Sequence, residues 1–190
     1  MPFRHVDGEI MNLPQRKLQR LKDYDYSKSN AYFVTLCTQN RMPLYETITD
    51  GILALNPAGL MISDCFQQLS QYGNKIKVDT FIVMPNHLHA ILIISHINED
   101  TKQVLKSSEE SGTTRGSFPT VSEYIRRFKT FTTKNYISGV YTGDYPLFDK
   151  RIWQKSFHDH IIRSEQEFRS ICQYIHSNPL KWAEDTYYQA

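Results

Sequence analysis

The sequence has 190 residues, of which 40% are hydrophobic and 22% charged, an ordinary composition for a single globular domain. The net charge of +2 is too small to indicate a nucleic-acid partner by itself. The longest apolar run, 90–94, is far too short to cross a membrane, and the first residues lack the apolar segment of a secretory signal. We therefore expect a cytoplasmic protein with no membrane partner.

Three cysteines, Cys37, Cys65 and Cys172, are widely spaced and odd in number. This pattern favours reduced thiols in a cytoplasmic protein over a disulfide framework or a zinc site.

The first predicted elements are a strand and a helix that follow a polar N-terminal arm. Residues 1–30 form the arm, and residues 31–190 are expected to form one domain. Residues 32–38 are rich in strand formers and predict the first strand. Asn56 and Pro57 supply an N-cap and a first-turn proline, and the apolar spacing that follows predicts a helix over 57–73.

A hairpin comes next. Residues 75–84 and 87–95 predict two strands, and Pro85-Asn86 predicts the tight turn between them. Residues 97–118 lack any periodic pattern and predict a flexible loop within the domain.

Two capping boxes mark the last two helices. Thr120 to Glu123 forms the first box, and Ser164 to Glu167 forms the second, after an extended segment over 151–162. The first of these helices continues with an apolar stripe made of Val121, Tyr124, Ile125, Phe128 and Phe131. Asn178-Pro179 ends the last helix, because the residue before a proline avoids the helical region.

The order strand, helix, strand, strand, helix, strand and final helix predicts an α+β fold. It is the ferredoxin-like βαββαβ pattern, an antiparallel sheet with helices on one face and an added C-terminal helix. The first and third strands are central in this topology, so the third strand lies in the middle of the sheet.

His87 and His89 are two residues apart on the third strand and therefore point to the same face, with Ile91 and Ile93 after them. Two imidazoles at this spacing suit one metal ion, although zinc hydrolases and oxygenases share the spacing and many such pairs bind nothing. A hard ion such as Mg²⁺ or Mn²⁺ also requires an oxygen ligand. Tyr174 and Asn178 lie one helical turn apart on one helical face, so a tyrosine nucleophile and an amide ligand would reach the histidines together if the last helix docks there.

Basic residues cluster in two segments. Residues 115–134 contain Arg126, Arg127 and Lys129, and residues 150–163 contain Lys155 and Arg163. Such local patches predict contacts with a phosphate backbone, and the alternative is an ordinary solvated face.

Three segments in order, 81–94, 153–163 and 174–179, resemble the REP-associated tyrosine transposases, single-tyrosine relatives within the HUH endonuclease superfamily. The resemblance runs from about residue 32 to residue 182. It implies that His87 and His89 bind Mg²⁺ or Mn²⁺, with Asn178 as third ligand and Tyr174 as nucleophile.

The resemblance also implies a reaction. The metal ion polarises the scissile phosphate of a single-stranded, hairpin-forming DNA, and the tyrosine attacks to leave a 5′-phosphotyrosine and a free 3′-hydroxyl. Relatives work as monomers or as homodimers, and the sequence does not choose between these states. The alternatives are a domesticated protein that binds hairpin DNA without cleaving it, and an unrelated metal hydrolase that does not use Tyr174.

Several other residues remain open from the sequence. Tyr136 and Tyr141 are rival nucleophiles without a surrounding motif. His158-Asp159-His160 suits a structural role or DNA contact better than a second metal pair. Trp153 and Trp182 suit either base stacking or buried packing.

Overall fold

Six strands are present in the computed structural model, which describes residues 30–49, 52–71, 75–94 and 120–188. In chain order they are β1 (Asn30–Cys37), β2 (Glu46–Thr49), β3 (Ile52–Leu55), β4 (Ile76–Met84), β5 (His87–Ile94) and β6 (His158–Ile162). The predicted arm over 1–30, apart from its last residue, and the predicted loop over 97–118 lie outside the described residues.

The main sheet has the strand order β4-β5-β1-β6, and each neighbouring pair is antiparallel. This order is that of the ferredoxin-like βαββαβ fold, so the predicted fold class is confirmed. The central strands β1 and β5 pair with Cys37 opposite His87 and Thr35 opposite His89. The two histidines therefore lie on a central strand, as predicted.

Three helices follow their predicted caps. They are α1 (Pro57–Gln67), α2 (Val121–Thr142) and α3 (Glu165–Ser177). The side chains of Asn56, Thr120 and Ser164 each accept a hydrogen bond from a backbone N–H in the first turn. The first helix is shorter than predicted, because the chain tightens into a 3-10 turn over Gln68–Gln71.

The two faces of the sheet carry different helices. Residues such as Val34 and Leu88 pack with α1 and α2 in the larger apolar cluster. Phe33 and Ile91 point the other way and pack with Ile175 of α3. Because side chains alternate along β5, His87 and His89 lie on the α3 face, where the last helix covers the sheet.

Three features of the structure differ from what the sequence predicted. Phe131 was placed in the apolar stripe of α2 but is 43% exposed, because the buried face continues through Thr132 and Tyr136 instead. The β2–β3 ribbon was not predicted at all. The last helix ends where expected, but Asn178 keeps helical angles (φ −57°, ψ −42°), since Pro179 begins a new 3-10 turn over Pro179–Glu184. The thiols are free, as predicted.

Candidate active site

The two histidines of β5 form the centre of the site. His87 is 0% and His89 is 1% exposed, and their ring centroids are 4.4 Å apart. Burial lowers the pKa of His89 to about 4 and lowers that of His87 well below its usual value. Both imidazoles are therefore neutral at pH 7, the form that binds metal ions.

His87 is oriented by the turn before its strand. Its Nδ1 lies 2.9 Å from Oδ1 of Asn86, an oxygen that can only accept, so Nδ1 carries the proton and donates. The other ring nitrogen, Nε2, is then an unprotonated lone pair. It is buried and has no hydrogen-bond partner. A buried, unprotonated nitrogen without a hydrogen-bond partner is available to bind a metal ion.

His89 is held from both sides. Its Nδ1 meets Oγ1 of Thr35 at 2.8 Å, on the neighbouring strand β1. Its Nε2 lies 3.2 Å from the hydroxyl of Tyr174. With the proton on Nδ1, the Thr35 oxygen accepts and the Tyr174 hydroxyl donates to Nε2. The ring of Phe33 stacks on His89 with a centroid distance of 5.3 Å, which fixes the ring plane.

Tyr174 reaches the histidines from α3 and is 41% exposed. Burial, then the nearby charge of Asp185, raises the pKa of Tyr174 to about 12. The phenol is therefore fully protonated at neutral pH. The rival tyrosines differ in position: Tyr136 is buried and donates to the carbonyl of Pro146, and Tyr141 lies on the exposed end of α2. Of the three, Tyr174 is the one whose hydroxyl meets a site histidine.

Asn178 lies one turn beyond Tyr174, as its spacing predicted, and is 2% exposed. Its Nδ2 donates to Oδ2 of Asp185 at 2.8 Å, and its buried Oδ1 has no hydrogen-bond partner. The amide thus belongs to the site, and its predicted role as a metal ligand stays a prediction.

Asp185 is the site residue that sequence reasoning missed. One carboxylate oxygen and a ring nitrogen from each of His87 and His89 all lie within 4.8 Å of one another. Asp185 follows the 3-10 turn after α3, and no motif around it indicates a ligand. The turn itself, which returns the chain to the sheet, is the feature that brings it in.

Aromatic rings close the site on the side of the C-terminal segment. The Tyr187 ring lies 4.6 Å and the Trp182 ring 5.9 Å from the ring of His87. Trp182 also packs against Tyr188, at 5.4 Å. Trp153, the other candidate for base stacking, is buried elsewhere, and its indole N–H donates to Thr132.

Arg126 and Arg127 are exposed on α2, where both lie near Glu123, at 4.0 and 3.2 Å. The helix that carries them covers the sheet face opposite His87 and His89. Their predicted contact with DNA therefore concerns a surface away from the histidines, and it stays a prediction.

Lys129 has a structural contact. Its Nζ donates to the carbonyls of Gln154 and Ser156, both at 2.9 Å, and so joins α2 to the segment before β6. Lys155 is exposed within that segment. DNA contact by either lysine remains a prediction.

Arg163 lies far from the histidines. It follows β6, whose Ile162 pairs with Ala31, whereas His87 pairs with Cys37 at the other end of β1. Six residues of strand separate the two positions, about 20 Å at the usual rise. A DNA contact by Arg163 would thus fall well outside the histidine cluster.

His158 and His160 are exposed on the edge strand β6. His160 Nε2 lies 2.6 Å from Oε1 of Glu167, an arrangement that ties the strand to α3. This contact suits a structural role, one of the two that the sequence left open for the segment, and DNA contact stays a prediction.

The donor set fits a divalent metal ion. Two neutral imidazoles offer nitrogen, one with an orphaned Nε2, and Asp185 and Asn178 offer oxygen. Each histidine has a partner on its other ring nitrogen, as metal-binding histidines usually do. Mixed nitrogen and oxygen ligands are compatible with Mn²⁺ and Mg²⁺.

Comparison with known proteins identifies relatives of this chain. No protein-family model matches it. An uncharacterised protein of Haemophilus influenzae is 30% identical over 174 residues, which cover 91% of this chain and 93% of that protein. The two chains belong to one family. A second Haemophilus influenzae protein, provisionally named a REP-associated tyrosine transposase, is 24% identical over 157 residues, or 83% of this chain and 74% of that protein.

A solved structure has the same fold. It is that of a REP-associated tyrosine transposase bound to a REP hairpin, and it matches with a TM-score of 0.52 and 19% identity. The match covers 86% of this chain and 74% of the other. The likeness to the REP-associated tyrosine transposases that the three motifs predicted is confirmed.

Within the described part of the chain, no helix combines the length and the apolar character that crossing a membrane requires.

Proposed function

We propose that this chain is a metal-dependent endonuclease and strand transferase that cleaves hairpin-forming single-stranded DNA through Tyr174. The observation that carries the proposal is the 3.2 Å contact between the Tyr174 hydroxyl and Nε2 of His89, beside the orphaned Nε2 of His87. A nucleophile next to two neutral, oriented imidazoles is the arrangement that metal-assisted phosphoryl transfer requires.

Hairpin DNA is the proposed substrate class because of the relatives. The structure with the matching fold is of a transposase bound to a REP hairpin. Tyr174 borders an open cleft that Lys181 and Asn178 also line. A phosphodiester in this cleft has access to the Tyr174 hydroxyl and to the Lys181 ammonium group. The single strand beside the hairpin would enter this cleft.

The metal would be held by His87 and His89, with an oxygen donor from the C-terminal part of the site. Bound there, Mg²⁺ or Mn²⁺ supplies Lewis-acid polarisation of a phosphate oxygen. Asn86 and Thr35 each contact Nδ1 of one imidazole ring, which leaves Nε2 of both rings as the candidate ligand atoms. The neutral state of both rings keeps these lone pairs available at pH 7.

Tyr174 carries out the bond exchange. Its phenolic oxygen attacks phosphorus in line, the bond from phosphorus to the 3′ oxygen breaks, and the DNA downstream of the break stays on the tyrosine through its 5′ phosphate. The phenolic proton is released, and the departing 3′ oxygen takes up a proton to become a hydroxyl. Because the phosphodiester is conserved in the covalent link, attack by a second 3′-hydroxyl reverses the step and joins two strands.

A denaturing-gel assay tests the proposal. Full-length protein is mixed with end-labelled hairpins that carry single-stranded flanks, with Mn²⁺, with Mg²⁺ or with EDTA. We expect a covalent protein–DNA band that requires the metal, is absent from Tyr174→Phe, and persists in the control Tyr141→Phe, which removes an exposed hydroxyl on α2.

The other outcomes separate the alternatives. Hairpin binding without any adduct in the wild type would favour the domesticated binding protein. Metal-dependent turnover that survives Tyr174→Phe would favour an unrelated hydrolase. Either result would refute the strand-transfer mechanism.

A further inference from the structure

We propose that Asp185 supplies the oxygen ligand of the metal site, and that Asn178 is a positioning residue that holds the Asp185 carboxylate. The inference rests on the metal-dependent function proposed above. It assigns the third ligand to a residue that lies seven positions after the asparagine expected from the sequence.

The donor chemistry favours Asp185. Its carboxylate oxygen is grouped with the nitrogens of His87 and His89 within 4.8 Å, and no other set of three His, Cys, Asp or Glu side chains in the described ranges is grouped in this way. Two neutral imidazoles bring no charge to a divalent ion. A carboxylate brings a negative charge, and hard ions prefer it to a neutral amide.

The contact made by Asn178 assigns it a different role. Its amide nitrogen donates to Oδ2 of Asp185 at 2.8 Å. A hydrogen bond to a ligating carboxylate orients that ligand, as partners of metal ligands commonly do. The Asn178 Oδ1 is without a partner, so direct ligation by this oxygen is the competing arrangement.

Asp185 is also fixed through its own backbone. Its Oδ1 accepts from the N–H of Tyr187 at 2.7 Å and its Oδ2 accepts from Asn178, so both carboxylate oxygens are held by protein donors. The carbonyl of Tyr187 accepts from Nδ2 of Asn86 at 2.8 Å, and Oδ1 of that same Asn86 orients His87. Asn86 therefore connects His87 to the segment that carries the Asp185 carboxylate.

Arg41 is a second anchor of the segment that carries Asp185. Arg41 donates to the carbonyl of Thr186 at 2.7 Å, and its guanidinium lies over the Tyr187 ring at 5.2 Å. The 185–187 segment is thus attached to the turn before β5 through Asn86 and to the 3-10 turn after β1 through Arg41. A carboxylate held in this way needs little reorganisation when an ion binds.

Mn²⁺ binding to the full chain, measured by calorimetry and by electron paramagnetic resonance without DNA, tests the assignment. We expect Asp185→Asn, which keeps the side-chain shape, to lower the affinity at least about 100-fold, the upper end of what loss of a partner beyond the ligands costs. Asn178→Ala should lower it about 10-fold. Glu184→Gln, which removes a neighbouring exposed charge, should leave it within about twofold of the wild type, since screening makes exposed charges weak contributors.

The double variant separates the two roles. If Asn178 acts through Asp185, then Asn178→Ala has little further effect in the Asp185→Asn background, so the two losses are not multiplied. Independent, multiplied losses would show that Asn178 is itself a ligand and would overturn the positioning role. An Asp185→Asn affinity equal to that of Glu184→Gln would overturn the ligand assignment. Should Asn178→Ala fail to give a native circular dichroism spectrum, the comparison of Asp185→Asn with Glu184→Gln decides the ligand assignment alone.

Mn²⁺ binding distinguishes a failure of this inference from a failure of the proposed function. Loss of Mn²⁺ binding in His87→Ala and His89→Ala, with Asp185→Asn unaffected, would refute this inference and leave the function intact. Absence of Mn²⁺ binding in the wild-type protein would refute both.

Discussion

Thr35→Val tests how β1 supports the site. It preserves the branched shape of the side chain and removes the hydroxyl that lies 2.8 Å from Nδ1 of His89. Thr35 is buried, so water does not replace the lost oxygen. The ring nitrogen of His89 is left unpaired in the interior.

The size of the effect follows from this desolvation. An unpaired buried polar group costs about 1–3 kcal/mol of folding stability. Because Thr35 also fixes the tautomer and the ring direction of His89, we expect the Mn²⁺ affinity to fall about 10- to 100-fold. Both changes come from one oxygen atom that touches no substrate.

Two measurements check the prediction. Urea unfolding in EDTA gives the stability change without metal, and Mn²⁺ titration of the folded protein gives the affinity change. The matched control is Thr130→Val on the exposed side of α2, where the hydroxyl bonds only to a carbonyl of its own helix. We expect this control to change stability by less than about 0.5 kcal/mol. If Thr35→Val matches the control in both measurements, the hydroxyl does not hold His89 and the reasoning is wrong.

Two further predictions concern stability. Burial raises the pKa of the Glu46 carboxyl, whose oxygens have no hydrogen-bond partner, to about 9. The folded protein keeps this proton while the unfolded chain loses it near pH 4.5, so stability falls as the pH rises from 4.5 towards 9, by about 3 kcal/mol at pH 7. Glu46→Gln should abolish that fall in urea unfolding measured from pH 4.5 to 9, and an unchanged pH profile would contradict the buried neutral carboxyl. Lys129→Met should lower the unfolding free energy by about 1–3 kcal/mol, because the carbonyls of Gln154 and Ser156 lose their donor; unchanged stability with weaker hairpin binding would instead assign Lys129 to DNA contact.

Local patterns in the sequence were sufficient for much of the architecture. Alternation along β5 placed His87 and His89 on one face, because neighbouring side chains of a strand point to opposite sides. The caps at Thr120 and Ser164 marked the starts of α2 and α3, since a side-chain oxygen satisfies free N–H groups at a helix start. The order of elements predicted the strand order of the sheet.

The spacing of Tyr174 and Asn178 also came from the sequence, because residues four apart share a helical face. That α3 docks against the histidines was an expectation from the resemblance, and helical periodicity does not contain it. The contact between Tyr174 and His89 is a packing result, in which Ile175 buries against the same sheet face.

The tertiary structure decided the rest of the site. Thr35 meets His89 through the register of two strands far apart in the chain, and Asp185 returns to the sheet through a turn whose direction is set by its contacts with Asn86 and Arg41. Sequence periodicity reports which face of an element a residue occupies, because that depends only on neighbours along the chain. It does not report which elements meet, because that depends on the packing of the whole domain. The position of Asp185 depends on this packing, so its place beside His87 could be found only in the folded protein.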